Sequence, residues 1–285
     1  MLANIARQST GAIVEPADPT VWTSSKCWHF TDSYIYKEFD VIEPLFPASN
    51  NFTYSFWVYL NNLGYGGGAG ENILCFKAAG ISQNLVGSIK QTRIYTGQNS
   101  LKIYSSNNGW SHESINIEVG SWKNITLTGT DVSSNAFKIY LDGSLVASDE
   151  NGSNDFSMNP SAVAPFKFQI GYYPDSSYIP PSFYMSELGV WDVALDAAAV
   201  AVIGATPINW NSNSGSYDNE NDLVAYYRFG DGVGDNPASL LHDETNGDHV
   251  TVSESAGFRD LTNIIGTINQ VNTTSVGNYP TNQSS

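Results

Sequence analysis

The sequence predicts an all-β chain folded as an antiparallel sandwich with one short helix and extended terminal arms. Three observations predict it. Apolar and polar residues alternate with a period of two in segment after segment. These segments recur about every ten residues with turn-forming residues between them. Only one stretch has the composition of a helix.

Composition agrees. Of 285 residues, 41% are hydrophobic and 13% aromatic, enough for a sizeable core, while only 14% are charged. That combination excludes a disordered chain and a coiled coil. With 12 basic and 28 acidic residues the formal charge is −16. A negative surface repels phosphate, so neither nucleic acid nor membrane insertion is expected, and cations or high salt suit it better. Cys27 and Cys75 are the only two cysteines. They are too few for a disulfide scaffold, and they are read as buried free thiols. The N-terminal residues show no signal-peptide pattern and no stretch suits a membrane span. The Asn-x-Ser/Thr matches at Asn51, Asn124, Asn151, Asn272 and Asn282 are read as chance in an Asn-, Ser- and Thr-rich chain.

In Phe52–Leu60 the residues Phe52, Tyr54, Phe56, Val58 and Leu60 fall on one face and Thr53 and Ser55 on the other. Leu101–Tyr104, Ile115–Val119, Lys123–Thr128, Phe137–Leu141, Phe166–Ile170 and Leu223–Phe229 read the same way. Asp142-Gly143 is a two-residue hairpin turn of the primed type, leading into Ser144–Ala147. Asn107-Asn108-Gly109 is a second turn, and Gly64–Gly70 is a flexible loop without the register of a phosphate loop. Asp196 is a helix N-cap, Ala197–Ile203 the helix, and Gly204 with Pro207 its end. Asn209–Asn221 reads as a polar loop, and the residues after Ile268 as an extended arm. The resulting division is an N-terminal arm over 1–26, a sandwich over 27–265 and a C-terminal tail over 266–285.

Six segments then stand in the order of one family: Cys27–Tyr36, Phe52–Leu60, Gly120–Thr128, Phe137–Val146, Phe168–Tyr172 with Phe183–Leu195, and Leu223–Asp231 with His242–His249. Together they resemble a laminin-G-like, concanavalin A-like jelly-roll sandwich of the lectin-glucanase superfamily. The "y-w-r-f-g-d" segment opens such domains, but here it follows the helix. That arrangement resembles virion structural proteins of marine tailed bacteriophages, in capsid decoration and tail fibres. In the pentraxin-like branch an acidic Glu-Gln-Asp cluster holds calcium. The matching stretch here carries Asp175 alone, and Ser186 stands where an Asp precedes Glu187, which counts against a two-calcium site.

Glycosidases of this fold need paired carboxylates spaced E-x-D-x-x-E. The sequence has none, and Asp149-Glu150 is read as a turn, so no enzyme is expected. His29 is read as a packed side chain. Asp243, Asn246 and Asp248, in the acidic loop between His242 and His249, are the candidate calcium ligands, the competing reading being that Asp, Asn and Gly simply build turns. Asp231 and Asp235 lie in a similar Gly-rich turn. No cofactor is required. Tyr172, Tyr173, Asp175 and Tyr178 form a loop that suits either a glycan or a neighbouring subunit.

Two functions follow. One is a non-enzymatic virion protein, made in the host cytoplasm, whose terminal arms contact other copies or other virion proteins by strand addition. The alternative is a lectin module that recognises host or environmental glycans, including those of a cell surface.

Overall fold

The computed structural model describes residues 25–31, 33–39, 51–62, 71–78, 91–97, 100–105, 110–130, 137–149, 166–171, 182–205, 208–232, 235, 241–245, 260–261, 263–265 and 268–272. The expectations for Gly64–Gly70, Asn107–Gly109 and most of both arms lie outside the described residues.

Two antiparallel sheets make the sandwich. The first runs in the order β10 (Ser144–Asp149), β9 (Phe137–Leu141), β8 (Trp122–Gly129), β3 (Phe52–Leu60), β12 (Phe183–Trp191), β1 (Lys26–Phe30) and β17 (Ile268–Asn272). A further strand, β13 (Leu223–Tyr227), also pairs with β12. The second runs β16 (Asn263–Ile265), β2 (Tyr34–Phe39), β11 (Phe166–Gly171), β4 (Glu71–Ala78), β5 (Gln91–Gly97), β6 (Ser100–Ser105) and β7 (Trp110–Ile115). The helix α1 spans Ala197–Ala205, and β14 (Leu241–His242) pairs β15 (Asp260–Leu261) apart from both sheets.

The alternation of β3 is observed. Phe52, Tyr54, Phe56, Val58 and Leu60 are all buried in the core between the sheets, against Ile35, Leu74 and Ile170 of the second sheet. The opposite face of β3 is buried as well. A second cluster joins Trp57, Trp122, Trp191, Trp210, Tyr217 and Tyr226 to Ala199, Val200 and Ile203 of α1. The stretch Asn209–Asn221 is mostly irregular, as expected, yet it is not merely polar: Trp210 and Tyr217 are fully buried. Tyr217 Oη donates to the Trp210 carbonyl at 2.6 Å and accepts from Trp191 Nε1 at 3.1 Å.

Thr53 and Ser55 therefore face a helix rather than water. Ser55 Oγ and Thr126 Oγ1 are 2.8 Å apart, Asn124 Nδ2 donates to Ser55 Oγ at 3.0 Å, and Thr126 Oγ1 donates to Asn124 Oδ1 at 2.8 Å. Thr53 Oγ1 donates to the Val193 carbonyl at 2.8 Å and accepts from Leu195 N–H at 2.9 Å, which sets the approach to α1. Asp196 caps the helix as predicted: its Oδ1 accepts from Ala199 N–H at 2.8 Å. Gly204 lies within the helix rather than after it. A Cβ there would stand 2.4 Å from the Gly143 nitrogen, so the last turn of α1 lies directly on the β9–β10 turn. That turn is the primed hairpin expected, with Asp142 at φ 49° and Gly143 at φ 74°.

Four further expectations are corrected. The strand predicted over Ile115–Val119 ends at Ile115; Ile117 is still buried, but the backbone has left the sheet and Val119 is exposed. The strand predicted to Phe229 ends at Tyr227, because Phe229 takes a left-handed φ of 51°. Asp149 is the last residue of β10 rather than part of a turn. Ile268–Asn272, expected in the tail, is extended but pairs with β1 from Phe30↔Ile268 to Lys26↔Asn272, so the sandwich reaches past 265.

Phe56 is fully buried at the middle of β3. Phe56→Ala removes its transfer energy and leaves a cavity, an expected loss of about 3–5 kcal/mol in urea unfolding. A loss below about 1 kcal/mol would contradict that burial.

Candidate functional site: a polar and aromatic shelf

Among the residues singled out from the sequence, Tyr172, Tyr173, Asp175 and Tyr178 lie outside the described residues, as do Asn246 and Asp248. Asp243 is described and buried. Its Oδ1 accepts from Tyr226 N–H at 2.8 Å and Thr245 N–H at 3.0 Å, and its Oδ2 accepts from Thr245 Oγ1 at 3.0 Å. The carboxylate thus ties the acidic loop to β13, the turn-building role. Asp235 Oδ2 accepts from Gly230 N–H at 2.6 Å and Gly232 N–H at 3.1 Å. Asp231 accepts from Ser25 Oγ at 2.6 Å and Lys26 N–H at 2.9 Å, pinning the start of β1. Among the described residues no three His, Cys, Asp or Glu side chains gather as a metal site requires.

Neighbouring Cys27 is a buried free thiol, as expected. Burial and the nearby Asp231 push its pKa up to about 12, so it stays protonated and inert. Cys75 lies in β4. Glu187 is buried at a bulge in β12, with φ 51°, and pairs with Arg228 at 3.4 Å. Burial, the largest single effect, would lower the Arg228 pKa, but Glu187, Tyr226 and Asp231 together outweigh it and hold the guanidinium charged. This pair closes the seam where β12 passes from β1 to β13.

A different group of side chains meets at one end of the first sheet, where the cover of α1 and Trp210 runs out. Tyr59 of β3 and Tyr184 of β12 are half-buried against the margin of the second cluster. Their rings stand edge to face at 5.8 Å, and Tyr59 meets Trp122 at 5.9 Å. His29 of β1 stacks on Tyr184 with centroids 4.3 Å apart and planes 14° from parallel. The pairing His29↔Tyr184↔Tyr59 across three strands places these rings in a row.

The rim beside the rings is polar. His29 Nε2 lies 2.9 Å from Ser182 Oγ, 3.0 Å from Thr31 Oγ1 and 3.4 Å from Asn61 Nδ2. Asn61 Nδ2 also donates to Ser182 Oγ at 2.9 Å. Burial holds the His29 pKa below its ordinary value, so the imidazole is neutral near pH 7. A neutral Nε2 accepts from the Asn61 amide, which puts the ring proton on Nδ1. Thr31, Asn61 and Asn62 are exposed, and Ser182 is half-buried. His29 is thus packed, as expected, but also hydrogen-bonded at a surface. Rings flanked by hydroxyl and amide groups can stack on the C–H face of a sugar while exchanging hydrogen bonds with its hydroxyls.

No curated protein matches the chain significantly. The family model Laminin_G_3, described as the concanavalin A-like lectin/glucanases superfamily, matches residues 32–201. Among solved structures, a Bacteroides ovatus protein described as a candidate for carbohydrate binding superposes with a TM-score of 0.56 and 18% identity, over 87% of this chain and 60% of that one. The chain therefore spans less than two thirds of that protein. A heptameric SAP-like pentraxin from Limulus polyphemus gives a TM-score of 0.42 and 14% identity, over 80% of this chain and 90% of that one. A Trypanosoma rangeli sialidase, solved with sialic acid, gives 0.41 and 15%, over 56% of this chain and 23% of that one. At such identities the likeness is one of fold.

Two outcomes are expected. Asp243→Ala leaves the N–H groups of Tyr226 and Thr245 without their acceptor and costs about 3 kcal/mol in unfolding experiments; EDTA leaves that difference unchanged, whereas a metal role would make it vanish with chelator. Because the His29 pKa is lowered in the fold, the unfolded chain binds more protons. Its contribution is complete above the unfolded value of about 6.5 and is lost as pH falls below it. Stability measured between about pH 7 and 5 therefore falls more steeply in the wild type than in His29→Gln.

Proposed function

The chain belongs to the concanavalin A-like lectin/glucanases superfamily, and from that premise we propose that it is a non-enzymatic module that binds neutral glycans on the His29–Tyr184 shelf. The observation that carries the reading is the stacked, half-buried His29–Tyr184 pair beside Ser182, Asn61 and Thr31. Its mechanism is recognition alone. Tyr184 and Tyr59 supply the apolar platform. Asn61, Thr31 and Ser182 supply donors and acceptors, and His29 holds them in register. Among the described residues the shelf offers hydroxyl, amide and neutral imidazole groups, which suit a neutral sugar. Among the described residues, no carboxylate pair that could act as acid and nucleophile lines the shelf.

Tyr172, Tyr173, Asp175 and Tyr178, which precede Ser182 in the sequence, are proposed to contribute glycan contacts as well. The binding reading takes precedence over the virion one because the family is described in terms of lectins and the Bacteroides ovatus protein in terms of carbohydrate binding. A role in a phage particle, with arms contacting other copies or virion proteins, rests on motif order alone.

A neutral-glycan array is the test. The wild type is expected to retain a subset of glycans whether or not EDTA is present. Tyr184→Ala weakens them about tenfold or more, the ordinary loss for an aromatic anchor. An array without hits, or a Tyr184→Ala variant that melts and binds like the wild type, would remove the proposal.

A further inference from the structure

We infer that His29 is a proton switch for the shelf: when the ring takes up its second proton, the hydrogen bonds around Nε2 reverse and the Asn61 amide is released from the ring. The rearrangement follows from the hydrogen bonds themselves; its consequence for a ligand rests on the glycan reading above.

Three side chains converge on one atom. Ser182 Oγ, Thr31 Oγ1 and Asn61 Nδ2 lie 2.9, 3.0 and 3.4 Å from His29 Nε2. Thr31 follows β1, Asn61 follows β3 and Ser182 precedes β12, so three strand ends meet here. Asn61 is held in place by its backbone, whose N–H donates to the Ser182 carbonyl at 2.9 Å. The neutral ring offers one lone pair at Nε2, and all three side chains can donate to it. The two hydroxyls, 3.4 Å apart, can also accept, whereas an amide nitrogen can only donate. One member of the network therefore has fixed polarity and two are reversible.

The ring proton decides between two arrangements. With the ring neutral, Asn61 Nδ2 directs its two hydrogens to Nε2 and to Ser182 Oγ, the latter at 2.9 Å. With Nε2 protonated, Ser182 and Thr31 accept from it and turn their own hydrogens outward. Asn61 cannot follow, because donor then faces donor; it keeps Ser182 and loses the ring. A rim that presented hydroxyl oxygens presents hydroxyl hydrogens instead. Three donors aimed at one lone pair favour the neutral ring, and burial acts in the same direction, so the change belongs to mildly acidic solution.

The surroundings offer little to oppose it. The titratable side chains nearest the ring are Tyr184 of β12, stacked on it, and Tyr59 of β3 behind Tyr184. On β17 the residue paired with His29 is Asn269. The charged residues of these strands, Lys26 on β1 and Glu187 on β12, stand three residues along from His29 and Tyr184, and Glu187 is engaged with Arg228. Asp32, beside Thr31, lies outside the described residues.

The test is an NMR titration of the full chain from about pH 7.5 to 5, following His29 Cε1–H and the side-chain amides of Asn61 and Asn124. The Asn61 amide is expected to move with the midpoint of His29, below the ordinary value of about 6.5, while the Asn124 amide, buried in its ring with Ser55 and Thr126, stays fixed. In His29→Gln the Asn61 amide does not titrate. Asn61→Ala removes a donor that favours the neutral ring and raises the His29 midpoint by about 0.5. For a glycan retained on the neutral array, wild-type affinity falls about fivefold or more over the same range, and His29→Gln, at whatever level it binds, shows no such fall. An array without hits removes the glycan reading, and the NMR titration still decides the switch. The inference is overturned if the Asn61 amide ignores the titration of His29 or titrates equally in His29→Gln. It is overturned as well if the His29 midpoint is not below the ordinary value, if Asn61→Ala leaves that midpoint unmoved, or if glycan affinity is flat across it.

Discussion

The strands at the centre of the first sheet are buried on both faces, and most of the structure follows from that constraint. A strand covered on one side can alternate apolar with polar residues and leave the polar ones to water. Here the second side lies under α1 and the Trp210–Tyr217 segment, so a polar group on it costs free energy unless it finds a partner in the protein. Asn124, Ser55 and Thr126 do so in a closed ring, each giving one hydrogen bond to the next. Thr53 serves the chain that leads into the helix. The helix comes down close enough to reach this layer only because two glycines, Gly143 and Gly204, meet where any side chain would collide.

The same constraint locates the shelf. Cover is complete over Trp57 and Trp191 and partial over Tyr59 and Tyr184. Past that margin the sheet reaches solvent while still carrying aromatic rings, so its end combines a rigid apolar floor with polar groups at the rim. The shelf residues come from strand positions and strand ends, so their geometry is inherited from the sheet. At the other end of β1 the order is kept electrostatically: Asp231 holds the first residues of the strand, and Glu187 with Arg228 fills the bulge where β12 exchanges one neighbour for another.

Much of this was legible in the sequence, for reasons that can be named. The alternation of Phe52–Leu60 identifies the core face because hydrophobic burial follows the two-residue period. Asp142-Gly143 identifies its turn because few residues tolerate two successive positive φ angles. Asp196 identifies the helix start because its carboxylate has an obvious donor in reach. The burial of Thr53 and Ser55 was not legible, since what covers them comes partly from a stretch whose composition is that of a loop. Trp210 and Tyr217, two aromatics in thirteen otherwise polar residues, were the available signal. The shelf was hidden for another reason: His29, Asn61, Ser182 and Tyr184 are drawn together by strand pairing and share no motif. Asp243 was legible as a residue with work to do: its carboxylate ties its loop to β13, while its partners in the calcium reading, Asn246 and Asp248, lie outside the described residues.

The pairing of Lys26 with Asn272 has one more consequence. The first strand and the last strand of the sheet lie side by side, so the two ends of the strand order meet at one place on the sandwich. A body of this kind can be spliced into a loop of another protein without stretching either flank, and its order of strands can be cut elsewhere and rejoined there. The shelf, lying at the far end of β1 from that meeting place, would then project away from whatever carries it, like a lamp held out on its bracket.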